Sequence, residues 1–147
     1  MTTFSVCVDA SLVAKLVIIE PDSQFAGALW QAWISGGFEI YAPTLLPFEA
    51  TSVVRKQVKR GIISKSAGEN GLAELIRLMG VIKLIPPEEY IATAWKIATR
   101  YDLMVLYDAC YVALAESRNT YLWTGDGRML RAMPQHAGRI RTLTPQT

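Results

Sequence analysis

Four carboxylates stand where an α/β protein could bring them to one place. Three lie at or beside the boundary of a predicted element, namely Asp9, Asp108 and Asp126, and Glu49 lies in the interior of a predicted helix. Carboxylates packed closely in a partly desolvated site repel one another strongly. A hard divalent cation with oxygen ligands removes that repulsion, and Mg²⁺ or Mn²⁺ suits such a site. The acids are therefore candidate metal ligands.

Two of these acids follow predicted strands. Asp9 closes the apolar stretch that begins at Phe4, and Asp126 follows the stretch 121–124 after a single glycine. In open α/β sheets, ligands collect at the carboxyl ends of the strands, near a change in strand order. We therefore expect Asp9 and Asp126 to lie at the same edge of the sheet.

Each acid also has an ordinary structural explanation. Asp9, Asp108 and Asp126 all sit where predicted helices begin, and Asp is a favoured N-cap residue. Glu49 is predicted within a helix, at the margin of an apolar stripe, where a half-exposed surface acid is common. The combination of the four favours a shared pocket over four independent roles.

Strands alternate with helices along the chain, which predicts an α/β fold with a central, mostly parallel sheet covered on both faces. The predicted strands are Phe4–Asp9, Glu39–Ala42, Val81–Ile85, Tyr121–Thr124 and Arg139–Leu143. The predicted helices are Ser11–Val17, Ser23–Ser35, Thr44–Arg60, one that starts near a capping box at Ser66–Glu69 and ends at Gly80, Pro87 to about Tyr101, Asp108–Arg118 and Asp126–Met133. No repeat or linker interrupts the pattern, so residues 1–147 are predicted to form a single domain.

The composition is that of a globular protein, with 51% hydrophobic and 19% charged residues. A mean hydropathy of +0.21 is high for a monomer and predicts that a partner or a second copy covers some apolar surface. No apolar run approaches the roughly 18 residues of a membrane span, and the segment 1–8 lacks a basic region typical of signal peptides. Cys7 and Cys110 are expected to be reduced, buried thiols, as in a cytoplasmic protein.

Four short motifs, in order along the chain, resemble the pattern of the PIN-domain family. They are Val8-Asp9-Ala10-Ser11, Phe48-Glu49, Tyr107-Asp108-Ala109 and Thr124-Gly125-Asp126. The likeness is strongest to VapC-type toxins of prokaryotic toxin–antitoxin pairs and extends from about Val6 to Leu143. It implies a PIN-like, three-layer α/β/α fold. Carried over, the four acids match the family's catalytic quartet, and Ser11 and Thr124 match hydroxyl positions that help hold the site or the substrate.

The resemblance implies a metal-dependent endoribonuclease that hydrolyses RNA phosphodiester bonds with Mg²⁺ or Mn²⁺. Asp9 and Asp108 would anchor one ion, and Asp126 and Glu49 would complete its shell or hold a second. A homodimer and a small antitoxin partner are implied by the same likeness. The alternatives are a catalytically silent PIN-like module that binds RNA or protein, and a phospho-accepting receiver domain, whose paired acids and late lysine are missing from the expected places.

Basic residues cluster in two segments, although the net charge is only +2. The candidates for RNA phosphate contacts are Arg55, Lys56, Lys59, Arg60, Arg128 and Arg131. The alternative is a solvated helix face and an ordinary basic tail.

Two further features are predicted to be structural. Trp30 and Trp33 are interpreted as core residues, with a groove for a partner as the alternative. His136 is the only histidine. It is expected on the surface, because no second histidine or nearby nucleophile suggests a catalytic pair.

Overall fold

A computed structural model describes residues 4–143, and within them five strands form one sheet. The strands are β1 (Ser5–Val8), β2 (Glu39–Pro43), β3 (Lys83–Ile85), β4 (Leu122–Thr124) and β5 (Ile140–Thr142). They lie in the order β3-β2-β1-β4-β5, and all four pairings are parallel. The predicted parallel sheet is confirmed.

Helices connect and flank the strands. They are α1 (Ala10–Val17), α2 (Ser23–Ser35), α3 (Leu46–Lys59), α4 (Lys65–Met79), α5 (Ile91–Arg100), α6 (Tyr107–Ser117) and α7 (Arg128–Ala132). Helix α1 packs against α2, α3 and α4, whereas α5 packs on α6, and α6 lies on β1 and β2. The sheet with its two groups of helices forms three layers.

Helix α6 is the centre of the core. Every residue from 109 to 115 is buried, which agrees with an apolar pattern that runs nearly all round the predicted helix. Trp33 is also buried, at 5% exposure, and packs edge-on against Trp123 of β4. The core interpretation of Trp33 is confirmed, and Trp30 packs against the same core.

Several helix starts differ from the sequence predictions, most clearly those of α4, α5 and α7. The capping box at Ser66 is wrong, because α4 begins at Lys65 and the Ser64 hydroxyl caps it, accepting from the Ala67 N–H at 3.0 Å. Pro87 opens only a 3₁₀ turn, and α5 begins at Ile91. Helix α7 begins at Arg128 and not at Asp126.

The surface prediction for His136 is wrong. Its side chain is only 11% exposed, and its Nε2 lies 2.9 Å from Glu116 Oε1. The Tyr101 hydroxyl lies 2.5 Å from His136 Nδ1. These contacts come from α6 and from the end of α5, so spacing along the chain gave no sign of them.

The chain changes direction across the sheet between β1 and β4. From β1 it proceeds through β2 to β3 on one side, and β4 and β5 lie on the other. Strands β1 and β4 are hydrogen-bonded as far as the first acid, where the Asp9 N–H donates to the Trp123 carbonyl at 3.2 Å. Such a switch point leaves a crevice at the carboxyl ends of the strands. Within residues 4–143, no helix is long and apolar enough to cross a membrane.

Candidate active site

A cavity of about 380 Å³ opens at the carboxyl ends of β1 and β4. Its lining contains all four predicted acids, together with two bases, Lys56 and Arg128. Two acids come from the ends of the strands, and one comes from each helical layer, since Glu49 lies on α3 and Asp108 on α6. Four carboxylates against two cations leave the lining with an excess of negative charge.

Asp9 lies at the floor of the cavity and is 3% exposed. Its Oδ1 accepts from the Leu12 N–H at 3.0 Å, so Asp9 caps α1 as well as facing the cavity. Burial raises the pKa of Asp9, and the charge of Asp108 raises it further, while three hydrogen bonds to the carboxylate oppose the shift. The capping interpretation and the site interpretation therefore describe the same side chain.

The two predicted hydroxyls tie Asp9 to the loop after β4. The Ser11 hydroxyl donates to Asp9 Oδ1 at 2.8 Å and accepts from the Gly125 N–H at 2.9 Å. The Thr124 hydroxyl donates to Asp9 Oδ2 at 2.5 Å and accepts from the Asp126 N–H at 2.9 Å. Each hydroxyl uses its donor on a carboxylate and its acceptor on the backbone, so the position of Asp126 is linked to that of Asp9.

The same loop passes close over Lys15. A Cβ atom at Gly125 would lie 2.5 Å from Lys15 Cε and 3.3 Å from the Ser11 carbonyl carbon, so a larger residue there would require the Lys15 side chain to shift. The Lys15 side chain is 10% exposed, and its Nζ lies 3.0 Å from Glu20 Oε2 and 2.7 Å from Asp22 Oδ1. This ion-pair cluster supports the loop that carries the last acid of the quartet.

Glu49 is oriented by Tyr111. The phenol of Tyr111, which is 1% exposed, donates to Glu49 Oε1 at 2.7 Å. Burial raises the pKa of Glu49, and the charges of Asp108 and Asp9 raise it further, while the Tyr111 hydrogen bond and Lys56 oppose the shift. Glu49 lies in the first turn of α3 and not in its interior, because the helix begins at Leu46 and not at Thr44.

Asp108 lies in the first turn of α6 and does not cap it, since the N-cap position is Leu106. The helix begins at Tyr107, one residue before the predicted start at Asp108, and the capping alternative for Asp108 fails. Burial raises the pKa of Asp108, as does the charge of Asp126, while Arg128 opposes the shift. The ionisation of Asp108 therefore depends on the charges of Asp126 and Arg128.

Asp126 differs from the other three acids because it forms an ion pair with Arg128. Arg128 Nε donates to Asp126 Oδ2 at 2.7 Å, and the Arg128 N–H donates to Asp126 Oδ1 at 2.9 Å. Burial opposes ionisation of Asp126, but the hydrogen bonds and charge of Arg128, helped by Arg131, outweigh it and lower its pKa.

The predicted RNA-binding residues occupy three different places on the surface. Lys56 follows Glu49 by seven residues, two turns along the same face of α3, and it lines the cavity with Arg128. Arg55 instead lines a groove between α3 and α4. The remaining three are exposed and lie outside the lining of the cavity: Lys59, Arg60 and Arg131.

The donors of the cavity suit a hard divalent cation, because all four acids offer carboxylate oxygen and two negative charges are uncompensated. In residues 4–143, however, no three carboxylate, imidazole or thiol groups lie close enough to hold one ion together as they stand. Both oxygens of Asp126 are engaged by Arg128. The metal-binding roles of the four acids remain predictions.

Sequence reasoning missed three residues of the site. Tyr111 follows Asp108 by three positions on an α-helix, which places both on one face, so its contribution could have been inferred from the helical period. Phe48, directly before Glu49, is 77% exposed at the cavity. Nothing in the sequence signals that Lys15 supports the loop at Gly125.

The architecture and the cavity together define an acid-lined α/β domain with its site at the switch point of a parallel sheet. The chain belongs to the PIN-domain family, since that family's sequence profile, described as PIN domain, matches residues 6–133. Ribonuclease VapC3 of Pyrobaculum aerophilum is 30% identical over 127 residues, covering 86% of this chain and 93% of that relative.

Two solved structures share the fold. VapC20 of Mycobacterium tuberculosis, described as a sarcin–ricin loop cleaving toxin, matches with a TM-score of 0.65 at 17% identity, over 86% of this chain and 94% of that one. VapBC2 of Rickettsia felis, bound to a DNA fragment from the promoter of the pair, matches with a TM-score of 0.68 at 12% identity, over 95% of this chain and 98% of that one. The predicted PIN-like α/β/α fold is confirmed.

Proposed function

We propose that this chain is a divalent-metal-dependent endoribonuclease and that it acts as the toxin of a toxin–antitoxin pair. The observation that carries the proposal is the convergence of Asp9, Glu49, Asp108 and Asp126 on one cavity at the switch point of the sheet. Membership of the PIN-domain family and the relative named Ribonuclease VapC3 support the same activity.

The four acids would hold Mg²⁺ or Mn²⁺. When bound, such an ion lowers the pKa of a coordinated water and neutralises charge on the phosphate. Asp9 is fixed by three hydrogen bonds, and it therefore offers a rigid ligand at the floor of the cavity. Glu49, held through one oxygen by Tyr111, keeps the other oxygen to orient an attacking water.

Two basic side chains at the cavity would contact the RNA backbone. Lys56 and Arg128 line the same opening as the acids, so a phosphate entering it meets cations at the rim and carboxylates at the floor. Phe48, an aromatic ring left largely in water at this rim, offers a surface on which a base can stack. The substrate class that fits is RNA with unpaired nucleotides.

The test is RNA cleavage by purified protein with Mg²⁺ or Mn²⁺, with EDTA, and with metal restored. Asp108→Asn is the sharpest variant, because Asp108 does not cap its helix. We expect at least a hundredfold loss of cleavage, with the thermal unfolding midpoint changed little. Asp9→Asn should also abolish cleavage, but it perturbs the cap of α1.

Cleavage retained by Asp108→Asn, or unaffected by EDTA, would contradict the proposed activity. RNA binding without cleavage by the wild-type protein would favour the silent RNA-binding module. For the toxin role, expression of the wild-type chain alone should arrest growth and expression of Asp108→Asn should not. A short neighbouring reading frame whose product restores growth would identify the antitoxin.

A further inference from the structure

Arg128 folds back onto the acid two residues before it. Its Nη2 lies 2.6 Å from Asp126 Oδ2, and its Nε donates to the same oxygen at 2.7 Å. Its backbone N–H donates to Asp126 Oδ1 at 2.9 Å. One residue therefore engages both oxygens of a carboxylate that belongs to the proposed metal-binding quartet.

The guanidinium supplies positive charge at the rim of the acidic cavity. Arg128 lies in the lining with all four acids, and its charge acts on Asp108 as well as on Asp126. No three acids in residues 4–143 are arranged to hold one ion, and Asp126 is turned toward Arg128. The side chain thus takes over part of the neutralisation that a metal ion would provide.

The ion pair between Arg128 and Asp126 is exposed enough to be broken easily. The Arg128 side chain is 80% exposed, whereas that of Asp126 is 29% exposed. Ion pairs held by such an exposed partner contribute little, because water and salt screen them and a long side chain must be ordered. A divalent ion carries twice the charge and bonds directly to carboxylate oxygen, so it can displace the guanidinium.

We propose that Arg128 is an exchangeable counter-ion of the active site. It neutralises Asp126 in the metal-free protein, gives up that carboxylate when a divalent cation binds, and then binds the phosphate of the incoming RNA. The inference rests on the proposed ribonuclease function. Arg128 would thus have two partners in turn, first Asp126 and then an RNA phosphate. Its removal should therefore raise the affinity for the metal ion and lower the affinity for RNA.

The experiment compares wild-type protein with Arg128→Gln in two separate assays. Mn²⁺ affinity is measured without RNA, by calorimetry or by the electron paramagnetic resonance signal of free Mn²⁺. We expect Arg128→Gln to bind Mn²⁺ about twofold to fivefold more tightly, because an exposed ion pair no longer competes. In the second assay, with Mn²⁺ present, the variant should bind an RNA oligonucleotide whose bridging 3′-oxygens are replaced by methylene groups, and which therefore resists hydrolysis, about threefold to tenfold more weakly.

The matched control is Arg77→Gln, which removes an exposed arginine from a local ion pair with Glu74 on α4. It should change neither affinity. In wild-type protein, the ¹⁵Nε resonance of Arg128 should also move on titration with Mg²⁺, which reports its release from Asp126 directly.

Unchanged or weaker Mn²⁺ binding by Arg128→Gln would overturn the inference. An Arg128 ¹⁵Nε resonance that does not move on titration with Mg²⁺ would also overturn it. Failure of the proposed function gives a different pattern. The Mn²⁺ affinity and the Arg128 resonance could change as expected while the wild-type protein cuts no RNA. That result would support the counter-ion exchange and contradict the nuclease proposal.

Discussion

Tyr111→Phe tests whether a buried phenol holds Glu49 ready for catalysis. The substitution removes one hydroxyl and keeps the ring, so the packing of α6 is preserved. The lost hydrogen bond is 2.7 Å long and ends on a carboxylate. Bonds to charged groups contribute about 1.5–3 kcal/mol. Because Glu49 is only half-buried and water can replace part of the bond, we expect a loss of about 1–1.5 kcal/mol in the free energy of unfolding near neutral pH.

The pH dependence of that loss has a definite sign. The folded-state pKa of Glu49 already lies above its ordinary value because of burial and the charges of Asp108 and Asp9, and the Tyr111 bond restrains it. Without the phenol the folded-state pKa rises further. The destabilisation is therefore largest above that pKa, where Glu49 is ionised, and it shrinks as the pH falls and Glu49 is protonated in both folded and unfolded protein.

Two measurements check this reasoning. Urea unfolding at neutral and at acidic pH gives the free-energy difference, and the pH profile of kcat/KM should show its acidic limb moved to higher pH, with activity about 10- to 100-fold lower at neutral pH. Tyr121→Phe is the control, since that ring is 47% exposed and lies over Arg141 outside the cavity. An equal loss of stability at both pH values, or an unmoved acidic limb, would refute the assigned role of Tyr111.

Two further predictions concern the loop after β4 and the rim of the cavity. Gly125→Ala should lower the free energy of unfolding by about 1–3 kcal/mol, because the added methyl group meets Lys15, which its ion pairs hold in place; a thermal unfolding midpoint equal to that of wild type would contradict this. Lys56→Gln should weaken RNA binding and reduce the slope of log K against log salt by about 0.7, as expected for one phosphate contact on a single strand. Lys96→Gln on α5 is the matched control, and an equal effect of both would mean that Lys56 acts only through net charge.

The alternation of strands and helices is sufficient to predict a mostly parallel α/β sheet, and the resemblance to the PIN-domain family adds the three-layer form. Alternating elements gave the parallel sheet, and the apolar run of α6 gave its central position, because both signals are repeated over many residues. Helix starts were harder to place. Ser64 and Ser66 are both plausible caps, and the local sequence does not decide between them, since the choice depends on where the helix packs.

The side-chain contacts of the site could be predicted only in part. The sequence predicts either a capping role or a ligand role for Asp9, and the structure shows that a strand-end Asp can cap α1 while it faces the cavity. The contact of Tyr101 and Glu116 with His136, and the fold-back of Arg128 onto Asp126, depend on three-dimensional proximity. Residue types and spacing indicate which side chains could make such contacts, but they do not determine which residue each side chain contacts.

The hydrogen bond from Thr124 to Asp9 joins residues that are 115 positions apart. A ribosome makes the first of these residues long before the second, and the cavity cannot assemble until both have emerged and the central strands have paired. For the proposed ribonuclease, this order of synthesis means that a chain terminated before residue 122 lacks both β4 and Asp126. Such a product would have no complete cavity and would leave RNA intact.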